Sequence, residues 1–186
     1  MSEGDYFSTP EWLSSLVAWD RPGFTPQLLM KTAIDVAIAS AKNGGGPFGA
    51  VLADASGKIV EIGWNYVVKS HDSTRHAETH CIRRAQNLLN THDLGAPGLP
   101  ELALYSSCSP CVHCFGVIYW SGLKKVLAAA TKEDAEAAGF DEGPLTPDMW
   151  AAAKERKGIE YTPCFCRDQQ ALEPFRVFAA LNGKLY

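Results

Sequence analysis

Two short stretches carry most of the chemistry this chain can do. One is His76-Ala77-Glu78 and the other is Pro110-Cys111-Val112-His113-Cys114. An imidazole and two thiols form a soft donor set of the kind that zinc takes tetrahedrally. His76, Cys111 and Cys114 supply three ligands. A structural site would add a fourth side chain, whereas a catalytic site leaves that position to water. Zinc lowers the pKa of such a water from about 15.7 to about 7. Glu78, two residues beyond His76, is too close to be a comfortable co-ligand. It reads instead as the group that takes the water's proton and passes it on.

The neighbouring donors leave alternatives. Cys108 could close the zinc site as a fourth ligand, but its place at a strand end reads as a core thiol. A Cys108/Cys111/Cys114 run could hold an iron–sulfur cluster, yet no fourth cysteine follows with suitable spacing. His113, between two ligands, reads as a neighbour of the pocket rather than a ligand. His80 lies one turn after His76, but the H-E-x-x-H pattern needs Glu where Ala77 stands. His71 and His92 read as loop residues, and Cys164-Phe165-Cys166 as ordinary buried thiols.

Those residues need a scaffold. Ala77 to about Asn90 has a helical pattern with His76 at its start. Glu101 to Ser106 is strand-like, and a second helix follows from Cys111 through Trp120. Pro110 suits the start of that helix. The partly positive helix N-termini help Cys111 and Cys114 ionise, and two such ends facing each other can hold a metal between them. Thr9-Pro10-Glu11 predicts a capped short helix, and Arg21-Pro22-Gly23 a break. Thr25-Pro26 caps a clearer helix, with Leu29, Ala33, Val36 and Ala37 at helical spacing. Phe48–Ala53 and Lys58–Ile62 predict a hairpin around Ala55-Ser56-Gly57. Lys125–Ala129 is a fourth strand, and Ile159–Thr162 a fifth. Helices are expected after Thr131, from Pro147 to Lys157, and from Gln169 to Asn182 with a kink or restart at Pro174. An antiparallel hairpin followed by β–α–β crossovers gives a three-layer α/β/α domain with a mixed five-stranded sheet.

The chain has 186 residues, 46% hydrophobic and 20% charged, which fits one globular domain over 1–186. Within it, 1–24 reads as an N-terminal extension. A net charge of −4 shows no basic stripe for nucleic acid. No apolar run is long enough for a membrane span. The acidic, polar start lacks the regions of a signal peptide. Six cysteines without such a signal favour metal binding over disulfides, and a cytoplasmic, reduced setting.

H-x-E followed by P-C-x-x-C is the signature of zinc-dependent nucleobase deaminases, and the chain resembles the cytidine deaminase-like superfamily. It looks most like the guanine deaminase branch, from about Gly45 to Phe140 and again at the C-terminus. The narrower motifs are Ile118-Tyr119-Trp120 and Gly139-Phe140-Asp141-Glu142. The resemblance implies zinc on His76, Cys111 and Cys114, with Glu78 shuttling protons to a departing amine. It implies that Asn65 hydrogen-bonds a purine and that Phe48 and Trp120 line its pocket. The backbone of Ala77 would touch the ring, Glu142 would face the guanine N–H edge, and a C-terminal helix and tail (168–186) would close the site with Tyr186. From the residues alone, Phe48 and Trp120 read as plain core, as strand and helix aromatics usually are, and Asn65 could make a turn. The family pattern Cys-Glu-Pro-Cys-Pro-Met-Cys is here Cys-Ser-Pro-Cys-Val-His-Cys, and Glu142 stands where Asp is common. The resemblance also implies a homodimer, with the tail sometimes given by the partner. Rival readings are a related amino-heterocycle or nucleoside as substrate, a nucleic-acid adenosine deaminase, which would want basic surface, and a silent zinc module, which would lack Glu78.

Overall fold

The computed structural model describes residues 7–17 and 23–186. Most of the expected break at Arg21-Pro22-Gly23 and the first six residues of the N-terminal extension lie outside them. Chain order is α1 (Glu11–Leu16), α2 (Pro26–Lys42), β1 (Gly49–Asp54), β2 (Ile59–Trp64), α3 (Val67–Ser70), α4 (Ala77–Leu88), β3 (Leu102–Cys108), α5 (Val112–Trp120), β4 (Lys125–Ala130), α6 (Lys132–Ala137), α7 (Pro147–Lys157), β5 (Glu160–Thr162), a 3-10 turn (Gln169–Leu172) and α8 (Glu173–Ala180).

The sheet runs β2-β1-β3-β4-β5. β1 pairs antiparallel with β2 and β3, while β3–β4 and β4–β5 are parallel. The mixture follows from the connections. A short turn at Ser56-Gly57 can only return antiparallel, and the helical crossover α5 permits parallel return. Side chains alternate across each strand, so both faces are apolar and both need cover. Val51, Ala53, Tyr105 and Leu127 meet α2 and α8 through Met30, Ala33, Ile34, Phe175 and Phe178. Ala50, Leu52, Leu104 and Val126 meet α4, α5 and α7 through Cys81, Ile82, Phe115, Ile118 and Ala153. The result is the expected three-layer α/β/α arrangement.

Helix ends follow their local chemistry. Thr25 caps α2 by accepting from the Leu28 N–H, with Pro26 in the first turn. Thr131 and Asp134 form a reciprocal capping box on α6. Pro174 restarts the chain as α8 after the 3-10 turn, as its missing N–H requires. Two expectations change. Thr9 does not cap α1, whose N-cap is Pro10; its hydroxyl accepts from Arg84 instead. The chain after Trp64 contains α3, a four-residue helix that no periodicity could reveal.

Candidate active site

The two motifs meet because two helices begin at the same place. His76 is the N-cap of α4 and Cys111 the N-cap of α5, and His76 Nδ1 lies 3.5 Å from Cys111 Sγ. Tetrahedral arms of 2.0–2.3 Å separate donors by about 3.3–3.8 Å, so the spacing suits a shared zinc ion. Ligand atoms of His76, Cys111, His113 and Cys114 all lie within 4.8 Å of one another. Cys108 stands apart from this group as a buried strand-end thiol, its Sγ donating to the Thr131 carbonyl at 3.3 Å.

The electrostatics prepare these groups for a cation. Hydrogen bonding from Cys114 outweighs burial and pulls Cys111 down to about 4, with His76 helping. Cys114 keeps the proton of the pair, held up by burial. Burial lowers His76, but its bond to Cys111 and the charges of Cys111, Glu78 and Glu142 outweigh that and raise it. Burial and the neighbouring His76 lower His113. Glu78 is buried; it accepts from Ser106 Oγ at 3.1 Å and Cys114 Sγ at 3.3 Å. Burial, then the Cys111 charge, raises its pKa, which suits a group that must hold a proton.

His76, Glu78 and Cys111 line a cavity of about 290 Å³ together with Phe48, Asn65, Ala77, Ser109, Phe140, Asp141, Glu142 and Tyr186. Small-molecule sites usually run about 300–1,000 Å³, so this one is sized for a single heterocycle. Asn65 sits just after β2 and is almost fully buried. Its Oδ1 accepts from the N–H groups of Gly46 (3.2 Å) and Val67 (3.3 Å), so the turn role and the cavity role coexist. The Nδ2 makes no bond among the described residues and remains a donor for a ligand. Glu142 follows α6 on a loop whose backbone bonds α5, with Val112 N–H donating to the Glu142 carbonyl at 3.2 Å. Burial, then the charges of Cys111 and Glu78, push its carboxyl to about 8. Tyr186 reaches the cavity from its own chain; its ring lies 5.7 Å from Phe140 and 6.1 Å from His76. Phe48 packs edge-on against Phe140 at 4.9 Å, so it serves both wall and core.

Trp120 is not in this cavity. It is 73% exposed at the end of α5, where Lys157 Nζ lies 5.0 Å over its ring. At 3.6 residues per turn it sits about 200° round the helix from the fully buried Ile118. Phe140 and Asp141 were missed as lining residues, although both lie inside a quoted motif; Ser109, a departure from the family pattern at the pocket rim, does line the cavity. Ser109 Oγ also contacts Tyr161 Oη at 2.6 Å. Ser106, which supports Glu78, carried no signal beyond its strand. Cys164 and Cys166 are exposed, not buried, and both occupy left-handed turn positions (φ 56° and 55°). His80, for which a solvated or a packed helix position was open, is packed: it is fully buried, with its ring 4.2 Å from Trp64.

Residues 25–130 match the cytidine and deoxycytidylate deaminase zinc-binding region. The chain belongs to this deaminase family. Guanine deaminase of Bacillus subtilis is 37% identical over 161 residues, covering 86% of this chain and 98% of that one. The solved guanine deaminase from Nitrosomonas europaea superimposes with a TM-score of 0.84 at 35% identity, covering 94% of this chain and 95% of that one. A structure solved in complex with 2,6-diaminopurine matches with a TM-score of 0.86 at 37% identity, covering 96% and 94%. The deaminase family brings zinc, and the donor set above fits it.

Proposed function

We infer that this deaminase hydrolyses guanine to xanthine and ammonia. One observation carries the reading: a single nucleobase-sized cavity joins the soft metal donors, a buried acid and a matched donor–acceptor pair. Guanine offers N7 and O6 as acceptors and its 2-amino group as a donor. Asn65 Nδ2 supplies a donor and Glu142 an acceptor, while Phe48 and Phe140 give apolar walls for the ring. The relatives of known activity and the bound 2,6-diaminopurine, which carries the same 2-amino group, support this class.

His76, Cys111 and Cys114 would hold the zinc. When bound, zinc supplies a Lewis acid that makes water acidic enough to act near neutral pH. Glu78 takes a proton from the attacking water and gives it to the ring nitrogen beside the amine-bearing carbon. It then carries the second proton to the amine, which leaves as ammonia because an amide ion cannot. Ser106 steadies the carboxylate while it does so. The first-turn N–H of Ala77 has no helical partner, and Ala77 lines the cavity, so this N–H would contact the ring. Tyr186, pushed up by burial and by the Glu142 charge, stays a neutral phenol over the cavity. Buried polar groups left unpaired by a wrong base give sharp selectivity, of the order of 10⁴–10⁵.

Zinc-loaded protein should release ammonia from guanine in preference to guanosine, cytosine, adenine and ammeline. Glu78→Gln should abolish turnover while keeping one zinc per chain. Release from a different compound only would discard guanine and keep the mechanism. No release from any of them, with zinc bound, would refute the assignment.

We propose further that the protein is a cytoplasmic homodimer. Six free thiols suit a reducing compartment, and no helix among the described residues is long and apolar enough to cross a membrane. An exposed Trp120, with no role in its own cavity, supports packing against a second copy at the end of α5.

A further inference from the structure

Glu142 is carried by a stretch without helix or strand, from Asp141 to Thr146, so its carboxyl must be fixed from outside that stretch. The loop runs between two hollows. Asp141 and Glu142 line the cavity of about 290 Å³, while Leu145 and Thr146 line a neighbouring one of about 280 Å³. On one side it is seated against α5. The Val112 N–H donates to the Glu142 carbonyl at 3.2 Å, and a Cβ on Gly143 would stand 2.5 Å from the Val112 side chain. On the other side stands Lys132, the first residue of α6. Its Nζ donates to the Gly143 carbonyl at 2.6 Å, the peptide group directly after Glu142. Lys132 lines the neighbouring cavity and not the one that holds Glu142. It therefore reaches the loop from behind.

We propose that Lys132 is a positioning residue for base recognition: its ammonium ties down the peptide after Glu142 and so fixes the carboxyl where the N–H edge of guanine meets it. The inference rests on the reading of Glu142 as the acceptor for that edge. A hydrogen bond from a charged donor is shorter and stronger than one between neutral groups, which suits Lys132 to hold a loop with no ladder of its own. Its other partner, Glu136 one turn along α6 at 3.4 Å, forms a partly exposed i,i+4 pair, and such pairs contribute little. The bond to Gly143 is thus the one with consequences for the cavity. Without it the loop keeps its tie to α5 but can pivot about that tie toward the neighbouring cavity, carrying the carboxyl with it. Lys132 itself lies outside the cavity that takes the base, so its effect passes through Glu142.

Equilibrium dialysis of guanine against the full-length, zinc-loaded protein tests it, in the Glu78→Gln background so that no base is turned over. Lys132→Met should weaken guanine binding about tenfold, a coupling of the size that groups in contact show. Lys132→Arg keeps a cationic donor and should bind within about threefold of the parent. Glu136→Gln, which removes the other partner of Lys132, should stay within about twofold. With Glu142→Gln already present, Lys132→Met should cost less than about twofold, because no carboxylate is left to position. Equal losses with and without the Glu142 carboxylate would make Lys132 a purely structural residue, and unchanged binding in Lys132→Met would dismiss it; either result overturns the proposal and leaves guanine recognition by Glu142 standing. If Glu142→Gln alone binds guanine as tightly as the parent, the reading of Glu142 falls and the proposal falls with it. Should Lys132→Met not fold, Lys132→Ala gives the same comparison.

Discussion

Glu142 makes the stability of the zinc-free protein depend on pH in a direction opposite to that of most carboxylates. Its folded pKa is raised from 4.5 to about 8, first by burial and then by the Cys111 and Glu78 charges. The folded chain therefore binds more protons than the unfolded chain between those values, and stability falls as pH rises through the window. The contribution is fully present below about pH 4.5 and lost by about pH 8. At about 1.36 kcal/mol per pKa unit, holding this group protonated in the folded chain costs about 1 kcal/mol at pH 5 and about 3 kcal/mol at pH 7. Glu142→Gln keeps the size and removes the titration. Urea unfolding of both zinc-stripped proteins should show the variant gaining about 2 kcal/mol relative to the unaltered chain between pH 5 and pH 7. With zinc bound, the carboxylate faces a cation and the difference should shrink, while guanine turnover by the variant is lost. Parallel stability curves for the two zinc-free proteins would refute the idea that Glu142 is a desolvated acid.

Two other perturbations probe the cavity and the surface. A Cβ at Gly46 would stand 2.6 Å from the Tyr186 hydroxyl and 2.8 Å from Asn65 Oδ1; Gly46→Ala should displace Tyr186 and raise KM for guanine at least tenfold with zinc content unchanged. Trp120→Glu should leave KM for guanine within about twofold, since the residue lies outside the cavity, and should shift sedimentation toward the monomer. A large rise in KM with no change in assembly would return Trp120 to the substrate site.

The donors, the acid and most of the scaffold were legible without coordinates because each is a local property. H-x-E and P-C-x-x-C announce themselves by residue type and spacing. Apolar alternation marks β1, β3 and β4, and Thr25 and Thr131 mark helix starts through bonds spanning three residues. What failed depended on direction or on distant neighbours. Trp120 follows Ile118 in the same motif, but the turn of α5 sends one inward and the other to solvent. Cys164 and Cys166 lie exposed in a turn with left-handed backbone that their residue types do not favour. For His80 the residues left solvent and packing both open, and Trp64, sixteen residues earlier, decides for packing.

By itself, then, the order of residues determined the zinc chemistry and the layers that carry it, since ligand identity and hydrophobic period are both written along the chain. Only the tertiary structure decided which groups share one cavity. Asn65, Glu142 and Tyr186 are far apart in sequence, and a burial shift such as that of Glu142 exists only once the packed chain has removed the water around it.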